Sequence, residues 1–291
     1  MYRTKIHYPD PMKISIVIVN NNLFPLLKQC LNTLIRACRS IDYEMIVIDD
    51  ASTDGSVSML QNEFPDIKLV QNTKTAGMAK ARNQGIKQAT GQYILLVSAD
   101  TICSKKTLEN VIEFMDKRTD AGGVGVRMLN SRGSFLTESR TGFNKAWCTF
   151  LKLTGLAKYF PKSRLYKAGA DAWIEEEEFD ITEVDVINGA FMLLRRSVLS
   201  EVGLLDERFT TFGHDVDLSF RIRLAGYKNY YYPKTFILNF GMQFKPKFSW
   251  EYIKHFYGAM IIFAAKYLFH MPEINLPGIP RIFAAKYEIE R

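Results

Sequence analysis

The chain has 291 residues, 47% of them hydrophobic and 24% charged, with a net charge of +7. This balance excludes a disordered or fibrous polymer and suits one large globular domain, or a domain with an appendage, around a sizeable core. The positive charge points to anionic partners, whether phosphates, nucleic acid or acidic lipid, and does not choose among them. The four cysteines, Cys30, Cys38, Cys103 and Cys148, have neither CxxC spacing nor a histidine cluster beside them, so they read as free thiols in a reducing compartment and not as a zinc site.

Residues 1–11, MYRTKIHYPDP, hold no apolar run and read as a disordered leader, with Met12 as an alternative start and no secretory signal. ISIVIVN (Ile14–Asn20) is a continuous β-branched run, the form of a strand buried on both faces. Leu23, Leu27, Leu31, Leu34 and Ile35 then recur at the helical period. YEMIVIDD is a second buried strand, STDGS a turn, VSMLQNEF a short helix and IKLVQN a third strand. GMAKARNQGIKQA is a third helix, GQYILLVSAD a fourth strand and KKTLENVIEFMDKR a further helix. The βαβαβαβα order predicts a mostly parallel, Rossmann-like sheet flanked by helices, an α/β fold. Ligands of such sheets bind beyond the carboxyl ends of the strands. Asn20 to Asn22, Asp49 and Asp50, Asn72, and Ser98-Ala99-Asp100 stand there. Neither GxGxxG nor GxxxxGK[ST] follows a strand, so a phosphate-bearing ligand needs another holder, and carboxylate plus a divalent cation is the obvious one.

Residues 130–182 read as a long irregular excursion with one helix, ending in the acidic run Glu175–Asp180, a solvated face. EVDVINGAFMLLRR is predicted as one strand interrupted at Asn188-Gly189, a position where a ligand or another backbone comes close. A helix from Asp215, apolar at Val216, Phe220, Ile222 and Leu224, stops at Gly226. Asp215 and Asp217 at its start suit either helix capping or chemistry. KNYYYP and TFILNFG are two more strands, and WEYIKHFYGAMIIFAAKYLF is a final basic and aromatic helix. That helix either lies at an anionic membrane interface or packs on the domain. No segment is apolar enough to span a membrane, since Lys266 interrupts Tyr257–Phe269. The hexapeptide IFAAKY occurs twice, at Ile262–Tyr267 and Ile282–Tyr287. No nucleic-acid recognition module is visible.

Six segments in order carry a resemblance: ISIVIVNNN, VIDDASTDGS, TAGMAKARNQGI, YILLVSADT, VINGAFMLLRRSVLSEVGLLDERF and FGHDVDLSFRIRLAGYKNYYYP. Together, from Lys13 to about Gly241, they resemble family-2 inverting glycosyltransferases, most closely the rhamnosyltransferase-like branch that builds bacterial surface polysaccharide. The resemblance implies a GT-A domain over 12–245 with a C-terminal helical extension over 246–291. It implies a dTDP- or UDP-sugar donor, a divalent cation (Mn2+ or Mg2+) and transfer of rhamnose or another hexose with inversion. The acceptor would be a glycan or a polyprenyl-linked chain, met in the cytoplasm or peripherally at the inner membrane face. Carried over by position, Asp215 is the catalytic base. Asn20, Asp49, Asp50, Arg82, Asp100, Gly189 and Ala190 bind the donor, and Asp100 is the metal carboxylate. Asp217 keeps the capping role. The chain departs from the family at four places: Ser98-Ala99-Asp100 stands where the family commonly has Asn-Pro-Asp or Asp-x-Asp, His214-Asp215 replaces Glu-Asp, Asn239 stands near a position where many relatives have histidine, and Asn20-Asn21-Asn22 replaces a frequent Asn-Tyr-Asn. Ser98, Asn239 and His214 are therefore weaker candidate metal ligands. The departures leave a second reading open, a weakened or inactive relative that binds a nucleotide sugar or a partner enzyme.

Overall fold

The computed structural model describes residues 12–142, 145–163, 178–241 and 250–267. The leader and the second IFAAKY copy lie outside them. In chain order the elements are β1 (Ile14–Asn20), α1 (Phe24–Ala37), β2 (Tyr43–Asp50), α2 (Ser56–Glu63), β3 (Lys68–Asn72), α3 (Met78–Gln88) and β4 (Tyr93–Ser98). Next come β5 (Thr101–Cys103), α4 (Thr107–Lys117), β6 (Ala121–Leu129), α5 (Glu138–Thr141) and α6 (Lys145–Leu153). β7 (Thr182–Val184), β8 (Phe191–Arg195), α7 (Arg196–Val202), α8 (His214–Leu224), β9 (Lys228–Asn239) and α9 (Trp250–Tyr267) complete the described chain.

The strands form one sheet in the order β3-β2-β1-β4-β8-β6-β9-β5, with β7 on β9. β1 to β4 are parallel, as predicted, and all seven residues of β1 are buried. Its Ile14, Ile16 and Ile18 pack with Leu27 and Leu31 of α1 and Val111 of α4. Val17 faces the other way, toward Ala79 and Ile86 of α3. This period-two division explains the unbroken apolar run, because each face has its own layer of helices. Burying one such side chain stabilises by about 1.5–3 kcal/mol. At Gly85 of α3 a Cβ would stand 2.3 Å from Val17 Cγ1, so only glycine lets α3 lie this close to β1.

Four expectations need correction. The predicted strand across Asn188-Gly189 is two strands, since β7 pairs with β9 while β8 runs antiparallel between β4 and β6. The two predicted strands KNYYYP and TFILNFG are one, β9; Tyr232 pairs with Val126 and Phe236 with Arg127, so residues 233–235 bulge out around Pro233. β6 was given no assignment, because Gly122, Gly123 and Gly125 lower its strand propensity. Leu224 of α8 is exposed, and Leu218 takes the core place instead.

A third cluster joins α6, α8 and α9. Trp147, Leu151, Val216, Phe220, Phe256 and Phe263 are buried together. Asp217 pins this layer and is no cap. It is fully buried and accepts hydrogen bonds from Arg221 Nε at 2.9 Å, Lys266 Nζ at 2.6 Å and Tyr267 Oη at 2.7 Å. Lys266 also reaches Asp206 Oδ2 at 3.0 Å. The lysine that interrupts the apolar run of α9 is thus its anchor. Removing one partner of a buried pair leaves the others uncompensated. Lys266→Met is therefore expected to lower the unfolding free energy by about 3 kcal/mol, read from urea denaturation, with the parent's m-value unchanged.

Candidate active site

The carboxyl ends of β1, β2 and β4 lie in register, Asn20 beside Asp49 and Val19 beside Ser98. Asn20 Nδ2 donates to Asp49 Oδ2 at 2.9 Å and to Ser52 Oγ at 3.0 Å, while Asp49 Oδ1 accepts from Ser52 N at 2.9 Å. Asp49 thus ties the β2–α2 turn. Asp50 ties the next one, accepting from Ala76 N at 2.8 Å, Gly77 N at 3.2 Å and Asn72 Nδ2 at 2.8 Å. Asn20 Oδ1 is buried with no hydrogen-bond partner among the described residues. An orphan acceptor of this kind is costly unless something outside the fold donates to it. Asn22 and Ala51 both hold positive φ, 56° and 64°, so strained backbone gathers at this edge.

A second group is centred on Gly189. Arg82 is buried and donates through Nη2 to Gly189 O at 2.6 Å. The N–H of Gly189 donates to Asp215 Oδ2 at 3.1 Å. One residue's backbone therefore links the cation to the carboxylate. A Cβ at Gly189 would lie 3.1 Å from both Arg82 Nη1 and Asp215 Oδ2. His214 Nε2 stands 2.9 Å from Arg82 Nη1. Arginine can only donate, so Nε2 accepts and the ring proton is on Nδ1. That Nδ1 and Arg82 Nε are buried without hydrogen-bond partners among the described residues. Burial, and then the neighbouring guanidinium, push His214 down to about 4. Burial lowers Arg82 to about 10, against the pull of Asp215.

The third group surrounds Asp100, which is buried. Asn239 Nδ2 donates to Asp100 Oδ1 at 3.2 Å, and Asn239 Oδ1 accepts from Gly241 N at 3.2 Å. Asn239 therefore presents its amine to the carboxylate, a positioning contact and not a ligand's geometry. His214 spends its basic nitrogen on Arg82. Among the described residues no three His, Cys, Asp or Glu side chains gather in a way that could hold a metal. One carboxylate fits a hard divalent cation whose other oxygens come from a diphosphate and water. Asp100 offers that much.

The groups meet. Ser98 N donates to Ala190 O at 3.0 Å, so the Gly189-Ala190 turn abuts the strand end that leads to Asp100. Arg82, Gly189, Ala190, His214 and Asp215 thus form one bonded cluster beside Ser98 and Asp100. Arg82 is buried, as are Asn20, Asp49 and Asp100. Asn20 and Asp49 form a separate cluster on β1 and β2. Two residues were not foreseen. Asn83 clamps Leu205 through both its amide groups, at 2.8 and 3.0 Å, and Thr210 O accepts from Met78 N at 2.6 Å. Both hold the loop that leads into Asp215. A buried asparagine next to Arg82 on α3 was the available signal. A cavity of about 420 Å³ lined by Thr33, Arg36, Arg39, Cys103 and Lys105 uses none of these residues.

The sequence model of Glycosyl transferase family 2 matches residues 15–203. The Staphylococcus aureus (strain Mu50) poly(ribitol-phosphate) beta-N-acetylglucosaminyltransferase TarS is 28% identical over 127 residues, 42% of this chain and 22% of its own. A crystal structure of S. aureus TarS 1-349 superposes with a TM-score of 0.59 at 18% identity, covering 87% of this chain and 65% of that one. The poly-beta-1,6-N-acetyl-D-glucosamine synthase of S. aureus (strain COL) is 29% identical over 196 residues, 65% of this chain and 41% of its own. The mannosyltransferase PcManGT from Pyrobaculum calidifontis, in complex with GDP-Man and Mn2+, superposes with a TM-score of 0.54 at 19% identity, covering 79% and 56%. The chain spans about a fifth to two fifths of the length of these curated relatives.

Two outcomes follow from the cluster. Gly189→Ala is expected to push Arg82 and Asp215 apart by a few tenths of an ångström and so to lower the melting temperature; if Asp215 is a catalytic group, turnover should fall about 100-fold as well, and steady-state rates beside a thermal melt check both. The unfolded chain protonates His214 below its ordinary 6.5, whereas the folded chain resists until about 4. Stability is therefore lost as pH falls through that window, by about 3 kcal/mol at its lower end. His214→Gln should flatten this acid slope in denaturation at pH 7 and pH 4.5.

Proposed function

Because the chain belongs to glycosyl transferase family 2, we propose that it transfers a hexose, rhamnose among the candidates, from a dTDP- or UDP-sugar to a glycan or polyprenyl-linked acceptor in the synthesis of cell-surface polysaccharide. The named relatives are a poly(ribitol-phosphate) beta-N-acetylglucosaminyltransferase and a poly-beta-1,6-N-acetyl-D-glucosamine synthase. The observation that carries the reading is the run of contacts from Ser98 through Ala190 and Gly189 to Asp215. It sets a base beside the end of β4, where the donor is expected.

In this reading the Asp215 carboxylate takes the proton of the acceptor hydroxyl as that oxygen attacks the anomeric carbon. The new C–O bond forms as the bond to the nucleoside diphosphate breaks, and the diphosphate departs with the electron pair. Direct attack from the opposite face inverts the centre. Asp215 is half-buried in the first turn of α8. Asp100 would hold a divalent cation together with the diphosphate, and that cation would neutralise the leaving group's charge. Asn20, with its unfilled Oδ1, and Asp49 would receive the nucleoside. Arg82 acts through Gly189.

A melting-temperature panel with UDP-, dTDP- and GDP-sugars, each with Mn2+, Mg2+ or chelator, tests the donor. The expected result is an upward shift for a UDP- or dTDP-sugar that chelator abolishes. Asp215→Asn should keep that shift and lose about 1,000-fold in turnover. A panel with no shift for any donor would defeat the reading.

A further inference from the structure

α9 buries one face and presents another. Phe256, Ala259, Met260 and Phe263 are buried against α6 and α8. The face turned away carries Trp250, Ile253, Tyr257 and Ile261, which are 78, 36, 55 and 67% exposed. Steps of three and four residues set them in one stripe, roughly 16 Å long at 1.5 Å per residue. Exposed Lys254 stands in the same stripe. The outer face of a helix in a globular domain is ordinarily polar. This stripe cannot roll inward, because Lys266 and Tyr267 at the far end of α9 are bonded to Asp217.

We infer that the outer face of α9 seats the protein on an anionic lipid surface. Three observations favour lipid over a second copy of the chain. First, tryptophan and tyrosine combined with aliphatic side chains and a lysine suit the boundary between headgroups and acyl chains, where rings and ammonium keep a polar end in water. Second, the four side chains expose on the order of 500 Å², short of the about 800 Å² per partner that a stable dimer buries. A bilayer needs no matching protein surface. Third, the charge is complementary. The chain carries +7, and α6, packed against α9 through Trp147 and Phe263, ends in exposed Lys152 and Leu153, the latter 83% exposed.

The position gives the docking a purpose, and this part rests on the transferase reading. α9 lies directly on the loop before the base. His255 Nδ1 is 2.8 Å from Thr210 Oγ1, the Phe212 and Phe256 rings are 5.4 Å apart, and a Cβ at Gly213 would be 3.3 Å from Ala259 Cβ. His214 and Asp215 follow immediately. A protein seated through α9 holds its base within about one helix diameter, some 10 Å, of the lipid. An acceptor anchored in that lipid would present its hydroxyl at the crevice.

Flotation of the full chain with vesicles tests the inference. The chain is expected to float with phosphatidylglycerol–phosphatidylcholine vesicles and more weakly with phosphatidylcholine alone. Trp250→Ser and Ile261→Ser should each lower partitioning about tenfold at an unchanged melting temperature. Lys254→Glu should weaken binding to the anionic vesicles and leave binding to the neutral ones unchanged. A chain that stays with the soluble fraction, or stripe variants that float as well as the parent, would overturn the inference. So would a dimer in light scattering that the stripe variants dissociate. The melting panel with nucleotide sugars separates the two readings. Donor binding without flotation defeats the lipid inference alone, whereas flotation without donor binding defeats the transferase reading and leaves the lipid surface standing.

Discussion

The backbone of Gly189 is the constraint on which the site depends. Its carbonyl takes the Arg82 guanidinium and its N–H holds Asp215. Neither side chain could be placed so closely around any other residue, because a Cβ would press on both at 3.1 Å. The requirement here is for space and not for an unusual φ, since Gly189 is not among the positive-φ glycines. A buried guanidinium is tolerable only if its hydrogen bonds and charge are met. The carbonyl, His214 and the nearby carboxylate meet those of Nη1 and Nη2, while Nε is left without a partner among the described residues. The same contacts that make the cation tolerable hold Asp215.

That turn faces Asp100 because one strand runs backward. β8 is antiparallel to β4, so its first residues lie at the edge where the parallel strands end. A parallel β8 would put Gly189-Ala190 at the opposite edge of the sheet. The reversal is stabilised by close packing over the glycines of β6. A Cβ at Gly123 would lie 2.7 Å from Ile187 Cδ1, and one at Gly122 would lie 2.5 Å from Ile222 Cγ2 of α8. Glycines that weaken β6 as a strand bring α8 and the Gly189 loop down onto the sheet. α8 is fixed from its other side by Asp217, which Lys266 and Tyr267 of α9 hold. Asp215 thus sits on a helix gripped by the sheet and by α9.

Much of this was legible in the sequence. β1, β2 and β4 are buried on both faces, and continuous apolar runs state that directly. Polar residues at their ends then located the crevice, and the six segments named the family. Three things were not legible. β6 was missed because glycines chosen for tertiary packing read as loop. The break between β7 and β8 was not legible because Asn188-Gly189 reads equally as an interruption within one strand, and only pairing partners tell two short strands from one. Asp217 was misread because a carboxylate in the first turn of a helix has a local explanation, capping. Its partners Lys266 and Tyr267 come about fifty residues later, and no local pattern connects them.

The charge arrangement explains why histidine suits position 214. Arg82 and Asp215 act on each other across the Gly189 peptide, and together they are neutral. A carboxylate at 214, as the family commonly has, would place a second negative charge beside Asp215 in the same low-dielectric setting. Like charges so placed raise one carboxyl toward protonation, which would spoil a base. Histidine held near 4 stays neutral at physiological pH and gives Arg82 an acceptor without adding charge. On the transferase reading, Ser98 likewise stands where a second carboxylate could be, and the two departures are consistent with each other. Both lower the negative charge that the protein brings to this edge, so the donor's diphosphate would have to supply more of what draws a cation there.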